Sequence, residues 1–132
     1  MEINADGRRH YEAKQYDLAI ADYSDYIKLI PNDPFGYLKR GVVYHAAGKH
    51  REAIGDYTRA IELDTDGSYR AGLHYNRANA HRDAGESDKA IADYDEAIRV
   101  DPKYGHAIVS RAVSAAREVN TIWRSPTSTW RC

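Results

Sequence analysis

The chain has a single cysteine, Cys132, among its 132 residues. One cysteine excludes an intramolecular disulfide, which suits a reducing compartment, and we expect a cytoplasmic protein. No apolar run approaches the ~20 residues that a membrane-spanning helix needs. Residues 1–30 carry charged side chains and lack the apolar segment of a secretory signal. We therefore expect no membrane partner and no leader.

An excess of either charge is also lacking. The chain has 20 acidic and 19 basic residues, which gives a formal net charge of −1 with histidine neutral. A nucleic-acid-binding surface usually shows a clear basic excess. Basic residues and tyrosines are interleaved here, but the balance of charge favours a mixed solvated surface. We expect no nucleic-acid partner.

Sequence motifs that carry catalysis or cofactor binding are missing as well. There is no phosphate loop, no dinucleotide fingerprint and no nucleophile elbow. None of the six histidines has the i, i+4 spacing and the adjacent acid of a helical zinc site. We therefore predict that the protein is not an enzyme, with no catalytic residue, no metal and no cofactor.

What the chain contains is one stretch that occurs three times. The pattern Ala-Ile-x-Asp-Tyr begins at Ala19, Ala53 and Ala90, with spacings of 34 and 37 residues. Self-similarity at about 34 residues is typical of proteins built from stacked helical repeats. The recurring aspartates fall in different repeats, so we interpret them as solvated or capping groups rather than as an acid pair; they are Asp22, Asp56 and Asp93.

Apolar residues around each copy recur at three- and four-residue steps, which predicts helices. Asp33 and Pro34 are suited to begin one helix, and Ser87 is a natural N-cap for another. Glycines at 48 and 85 stand where a helix commonly ends in a left-handed residue. The three extra residues of the 37-residue step, 68–70, either lengthen a helix or lengthen a loop. We predict seven helices, arranged as three pairs and a single last one.

In its recurring small and aromatic residues the chain resembles the tetratricopeptide repeat (TPR) family. The first helices carry a small residue at Gly7, Gly41 and Ala78, and the second helices carry a tyrosine at Tyr23, Tyr57 and Tyr94. The resemblance implies an all-α, right-handed solenoid of three TPR helix-turn-helix repeats plus a C-terminal capping helix. The expected domain is 1–120, with repeats at about 1–33, 34–67 and 71–104 and the cap at 105–120. Residues 121–132 are interpreted as a flexible tail.

The resemblance also implies a function. In this family the first helices usually line a concave groove that takes an extended peptide, so we expect a protein–protein interaction module, a scaffold or adaptor. The protein or peptide ligand is expected to be acidic, because the groove positions include several bases. The alternative is a scaffold that self-associates through its exposed ends or its tryptophan-containing tail; we expect a monomer or weak self-association. Carried across by position, the groove residues are Arg8, Tyr11, Phe35, Leu38, Lys39, Val42, His45, Tyr75, Asn76, Asn79 and Arg82.

One subclass of the family binds the acidic C-termini of heat-shock chaperones through a two-carboxylate clamp of lysine, asparagine and arginine. The corresponding positions here are not those residues in that order; they are Asn4, Arg8, Lys39, Gly72 and Asn76. The clamp is not reproduced, and we expect no co-chaperone role of that kind.

Overall fold

A computed structural model describes residues 2–103 and 105–123, with side chains for residues 5–103 and 106–116. These residues form seven α-helices and no strand. The helices are α1 (Glu2–Glu12), α2 (Tyr16–Leu29), α3 (Pro34–Ala46), α4 (His50–Leu63), α5 (Arg70–Asp83), α6 (Ser87–Val100) and α7 (Gly105–Trp123).

Consecutive helices pack in pairs, and the pairs stack. The first helix of each pair, here called helix A, is α1, α3 or α5, and its partner, helix B, is α2, α4 or α6. Each helix B also contacts the next helix A, so that α7 packs against α6. The predicted all-α fold is confirmed. Helix α7 continues to Trp123, three residues into the segment interpreted as a tail. No proline or glycine stands between Gly105 and Pro126 to end the helix earlier. Residues 124–132 lie outside the described residues.

The helix ends follow local chemistry at most predicted positions. The Asp33 carboxylate accepts a hydrogen bond from the Phe35 amide at 3.1 Å, and Pro34 is the first residue of α3. Gly48 and Gly85 have φ of +80° and +83°, as predicted. The prediction for Ser87 is wrong: it is the first helical residue, and the N-cap is Glu86. The Glu86 carboxylate instead contacts His81, Arg51 and Lys89.

Lys14 stands in the turn between α1 and α2 with φ of +60°, where the other two pairs have glycine. The left-handed conformation costs a residue with a Cβ about 1–2 kcal/mol, which glycine partly avoids. We expect Lys14→Gly to raise the free energy of unfolding by about 0.5–1 kcal/mol, measured by urea denaturation. Gly48→Ala is the matched control. A Cβ at this position would have no atom within 4 Å, so only the left-handed backbone should lower the free energy of unfolding, by a similar amount.

The three extra residues of the third repeat lie mainly in a loop. Helix α4 ends at Leu63 and α5 begins at Arg70, so the linker 64–69 has six residues, whereas the linker 30–33 has four. Gly67 adopts φ of +76° in this loop, and the Tyr69 amide donates to Asp64 Oδ2 at 3.1 Å. Helix α5 is one residue longer than α3, which accounts for the third residue.

The core within each pair is a tyrosine of helix B against a small residue of helix A. A Cβ added to Gly7 or Gly41 would lie 2.7 Å from the ring of Tyr23 or Tyr57. Tyr57 is 1% exposed, and Tyr94, which faces Ala78, is fully buried. The small residues are therefore required by the close approach of the helices.

Tyr26 stands near the end of α2, at the position that is Ala60 in α4 and Ala97 in α6. Gly36 on the next helix A accommodates its ring, since a Cβ on Gly36 would lie 2.9 Å from Tyr26 Cδ1. The Tyr26 hydroxyl donates to Asp33 Oδ2 at 2.7 Å. Burial, followed by this hydrogen bond, raises the pKa of Tyr26 to about 12. A glycine thus makes room for the tyrosine between repeats one and two.

An arginine before the small residue of helix A links three successive helices. Arg40 donates through Nε and Nη2 to both oxygens of Asp56 at 2.8 Å, and through Nη1 to Ser24 Oγ at 3.2 Å. Helix B of the preceding pair supplies Ser24, and helix B of the same pair supplies Asp56. We call this arrangement an arginine bridge.

The second arginine bridge repeats the first. Arg77 donates to both oxygens of Asp93 at 2.8 and 2.7 Å, and to Thr58 Oγ1 at 3.2 Å. The interpretation of Asp56 and Asp93 as solvated or capping groups is wrong, because they are 7% and 6% exposed and each is paired with an arginine. Burial makes such pairing necessary.

The first pair has no arginine bridge. Asp6 occupies the position that Arg40 and Arg77 have in their helices, and its carboxylate contacts Arg9 at 2.7 Å. Asp22 instead contacts His10 Nδ1 at 2.5 Å and stays about a quarter exposed. Asp22 therefore differs from Asp56 and Asp93, because it stays partly solvated and pairs with a histidine instead of an arginine.

Candidate peptide-binding groove

Side chains from helices α1, α3 and α5 meet at a pocket of about 220 Å³. Tyr11 comes from α1, and Asn76 comes from α5. Helix α3 contributes Val42, His45 and Ala46, and Tyr57 of α4 completes the lining. Because Tyr57 is almost fully buried by the core, it forms the floor of the pocket. Four of the predicted groove residues therefore lie together: Tyr11, Val42, His45 and Asn76.

One wall of this pocket is joined to the next repeat. His45 Nε2 lies 2.7 Å from Asp83 Oδ2 at the end of α5, and Arg82 Nε lies 3.5 Å from Asp83 Oδ1. Burial alone would raise the pKa of Asp83, but the hydrogen bond with His45 and the charge of Arg82 hold that pKa below its usual value. The anionic Asp83 consequently offsets part of the positive charge of Arg82.

A second group of predicted groove residues lies at the start of α3. The Lys39 Nζ is 5.5 Å from the centre of the Phe35 ring, a cation–π distance. The Phe35 ring in turn lies 5.6 Å from that of Tyr26. Leu38 packs against the core between α4 and α5, so its side chain contributes to stability.

A third group belongs to α5. The Tyr75 ring lies 5.9 Å from that of Tyr94 and 6.4 Å from that of His106 on α7. The carboxamide oxygen of Asn79 accepts a hydrogen bond from the Tyr94 hydroxyl. Arg8 is exposed on α1, away from these contacts. Four of the predicted residues thus line the central pocket, and the others lie at the start of α3, on α5 and on α1. Their contact with a ligand stays a prediction.

Sequence reasoning missed two residues of the pocket, Ala46 and Tyr57. Tyr57 was assigned to the packing pattern alone, although a large ring at a helix crossing can reach the groove as well. Ala46 lies one helical turn after Val42, so the helical period could have found it. Among the described residues, no group of three or more histidine, cysteine or acidic side chains could hold a metal ion. Within the same residues, no helix has the length and apolarity to cross a membrane.

Stacked A and B helices with a groove along the A helices define a helical-repeat protein. Two models of the tetratricopeptide repeat family match residues 5–68 and 71–104. The chain belongs to the tetratricopeptide repeat family.

Relatives of known sequence support the assignment. The chain is 35% identical over 101 residues to serine/threonine-protein phosphatase 5 of Homo sapiens, a match over 76% of this chain and 20% of the phosphatase. It is 28% identical over 118 residues to small glutamine-rich tetratricopeptide repeat-containing protein 2 of Mycosarcoma maydis, over 89% of this chain and 32% of that protein. The chain therefore spans a third or less of these two relatives.

Solved structures share the fold. The Sgt2 TPR domain from Aspergillus fumigatus superposes with a TM-score of 0.84 at 18% identity, covering 99% of this chain and 85% of that one. The first TPR of Spaghetti (RPAP3), bound to the HSP90 peptide SRMEEVD, gives 0.81 at 19% identity, over 89% and 90% of the two chains. At these identities the likeness concerns the fold.

Proposed function

We propose that the protein is an adaptor that holds an extended peptide segment of a partner protein in its groove. The observation that carries the proposal is the central pocket, to which the A helices of all three repeats and helix α4 contribute. A pocket with Val42 and Tyr57 as apolar surface and Asn76 as a polar group can take one side chain of a peptide and hydrogen-bond its backbone. The first TPR of RPAP3, of similar fold, is bound to the HSP90 peptide SRMEEVD.

The charges around the pocket favour an acidic ligand. Arg8, Lys39 and Arg82 come from three different A helices, and we propose that the bound peptide passes each of them. Asp83 offsets part of the charge of Arg82, which leaves Arg8 and Lys39 as the stronger attraction. The two-carboxylate clamp is not reproduced at its positions, and we therefore propose acidic side chains along the peptide rather than a chaperone C-terminus.

The activity of the phosphatase is not carried across, because the match covers a fifth of that protein. The proposed adaptor role needs no catalytic group. Its affinity comes from the fixed arrangement of the groove helices, which lowers the entropic cost of binding.

We expect a displayed library of random 12-residue peptides, selected on the wild-type protein, to be enriched in aspartate and glutamate. The selected peptides should bind the triple variant Lys39→Ala, Asn76→Ala, Arg82→Ala at least tenfold more weakly, a loss of about 1.4 kcal/mol or more. The reason is that the variant removes two cations and the amide that faces the pocket. Fluorescence anisotropy of labelled peptides measures the affinities.

The matched control removes two exposed cations outside the groove, Lys28 on α2 and Arg59 on α4. This variant should bind the selected peptides as the wild type does. Equal binding by wild type and triple variant would show that the groove assignment is wrong. Enrichment without acidic residues would contradict the charge preference and leave the groove as the binding surface.

A further inference from the structure

Helix α7 has the sequence register of a helix A, and within the part of the chain that the structure describes no helix B packs against it. In α3 the residues Tyr37, Arg40 and Gly41 face α4. At the same spacing from the preceding helix B, the corresponding residues of α7 are Ile108, Arg111 and Ala112. We call these three residues the open face of α7.

The open face is exposed and largely apolar. Ile108 is 43% exposed, Ala112 is exposed, and the Arg111 side chain is 48% exposed. Val109 and Val113 adjoin it and are 64% and 42% exposed. Isolated apolar residues on a surface are ordinary, but a continuous strip of them along one helix indicates an interaction site.

The three pairs within the chain show what fits such a face. In each pair a helix B with the pattern Ala-x-x-x-Tyr lays its tyrosine ring over the small residue of helix A, as Tyr57 does over Gly41. An alanine at the small position also fits, because Tyr94 is fully buried against Ala78. Ala112 therefore presents the surface that a tyrosine of this pattern covers elsewhere in the molecule.

The charge on the open face differs from that of the inner repeats in one respect. Arg40 and Arg77 meet a hydroxyl, Ser24 or Thr58, on the preceding helix B and depend on a following aspartate for a countercharge. Arg111 instead meets a carboxylate on the preceding helix: its Nε lies 2.6 Å from Asp95 Oδ1. A helix that covers α7 therefore needs no aspartate before its tyrosine.

We infer that the open face of α7 is a docking site for an amphipathic partner helix, whose Ala-x-x-x-Tyr pattern places a tyrosine ring over Ala112. The apolar contacts between the partner helix and the open face set the affinity. Because Asp95 already neutralises Arg111, the face accepts a neutral residue at the position that is aspartate in α4 and α6.

A synthetic peptide with the sequence of residues 49–64, which includes α4, is the probe. We expect saturable binding to the wild-type protein by fluorescence anisotropy. Tyr57→Ala in the peptide should weaken binding at least tenfold, because the ring over Ala112 is lost. Asp56→Asn in the peptide should change the affinity less than threefold. In the protein variant Asp95→Ser, however, the same peptide change should cost about tenfold, because Arg111 then lacks its countercharge.

Two arginine substitutions locate the site. Ala112→Arg places a long charged side chain on the open face and should abolish binding. Ala92→Arg introduces the same residue at an exposed alanine of α6 and should leave binding unchanged. Both positions are exposed, so both variants should give the helical circular dichroism spectrum of the wild type. The groove variant described above should also bind the peptide normally, which separates this site from the proposed function.

Three results would overturn the inference. The first is no binding of the peptide to the wild-type protein, and the second is equal binding to the Ala112→Arg variant. The third is a dimer in sedimentation velocity that Ala112→Arg dissociates, because the occupant of the face would then be a second copy of this chain.

Discussion

Replacing Arg40 by methionine is expected to lower the free energy of unfolding by about 3–5 kcal/mol at pH 7. The change removes both hydrogen bonds to Asp56, whose side chain is 9% exposed, and leaves a buried carboxylate without a countercharge. Methionine keeps most of the volume of the arginine stem, so the loss reports the charge rather than a cavity. Urea denaturation followed by circular dichroism measures it.

The matched control is Arg77→Met in the second arginine bridge. Its cost should be smaller, because Asp93 also lies 3.2 Å from His74 Nδ1 and 3.7 Å from His81 Nε2, and these polar neighbours stay beside the carboxylate when the arginine is removed. A double variant, Arg40→Met with Asp56→Leu, should recover most of the lost stability. Equal losses for the two arginines would contradict the role assigned to the histidines.

The two aspartates should also respond oppositely to acid. Burial raises the pKa of Asp56, even though Arg40 opposes it. A raised pKa means that the ionised group destabilises the fold, so protonation as the pH falls through that pKa relieves the penalty. The deficit of Arg40→Met should therefore shrink between pH 7 and about pH 4. Burial would likewise raise the pKa of Asp93, but hydrogen bonds from Arg77 and His74 lower it, so its stabilisation is lost only as the pH falls through that lowered value.

Tyr57→Ala is expected to cost about 3–5 kcal/mol, the range for removing a large buried aromatic ring. The ring is 1% exposed and lies against Gly41, which has no side chain to move into the space. The same change should weaken the binding of groove-selected peptides, because it removes the floor of the central pocket. Thermal denaturation and fluorescence anisotropy measure the two effects.

Tyr57→Phe provides the comparison, since it removes only the hydroxyl. We expect its stability to stay within about 1 kcal/mol of the wild type and its peptide affinity to stay nearly unchanged. If Tyr57→Ala lost less than about 1 kcal/mol, the helices would have to close the space around Gly41, and the tight packing described here would be wrong.

The fold was predictable from the sequence because its determinants are local and repeated. The register of Gly41 with Tyr57, and of Ala78 with Tyr94, recurs in each pair and needs no knowledge of distant contacts. The turn glycines and the Asp33-Pro34 start are equally local signals. Ser87 was misassigned because the side chains that engage the adjacent Glu86 come from α4, α5 and α6, and this tertiary arrangement is not visible in a single window of sequence.

The arginine bridges show where reasoning by residue type failed. Asp56 and Asp93 recur in the repeated stretch, and a charged residue is usually solvated. The missing step was to compare them with Arg40 and Arg77, which stand just before the small residues and recur with them. For the groove, the helical period predicted the helix faces and so four residues of the central pocket. It could not show that Asp83 offsets part of the charge of Arg82, or that Tyr57 lines the pocket.

The unequal distribution of the arginine bridges has a consequence for the order in which the molecule opens. Repeat proteins lose structure pair by pair, according to the strength of each junction. Arg40 fastens α2 to α3 and α4, and Arg77 fastens α4 to α5 and α6, whereas Asp6 leaves α1 without such a junction. The amide hydrogens of α1 should therefore exchange with solvent earlier than those of α3 and α5, so that fraying begins at the helix that carries Tyr11 and opens one side of the central pocket first.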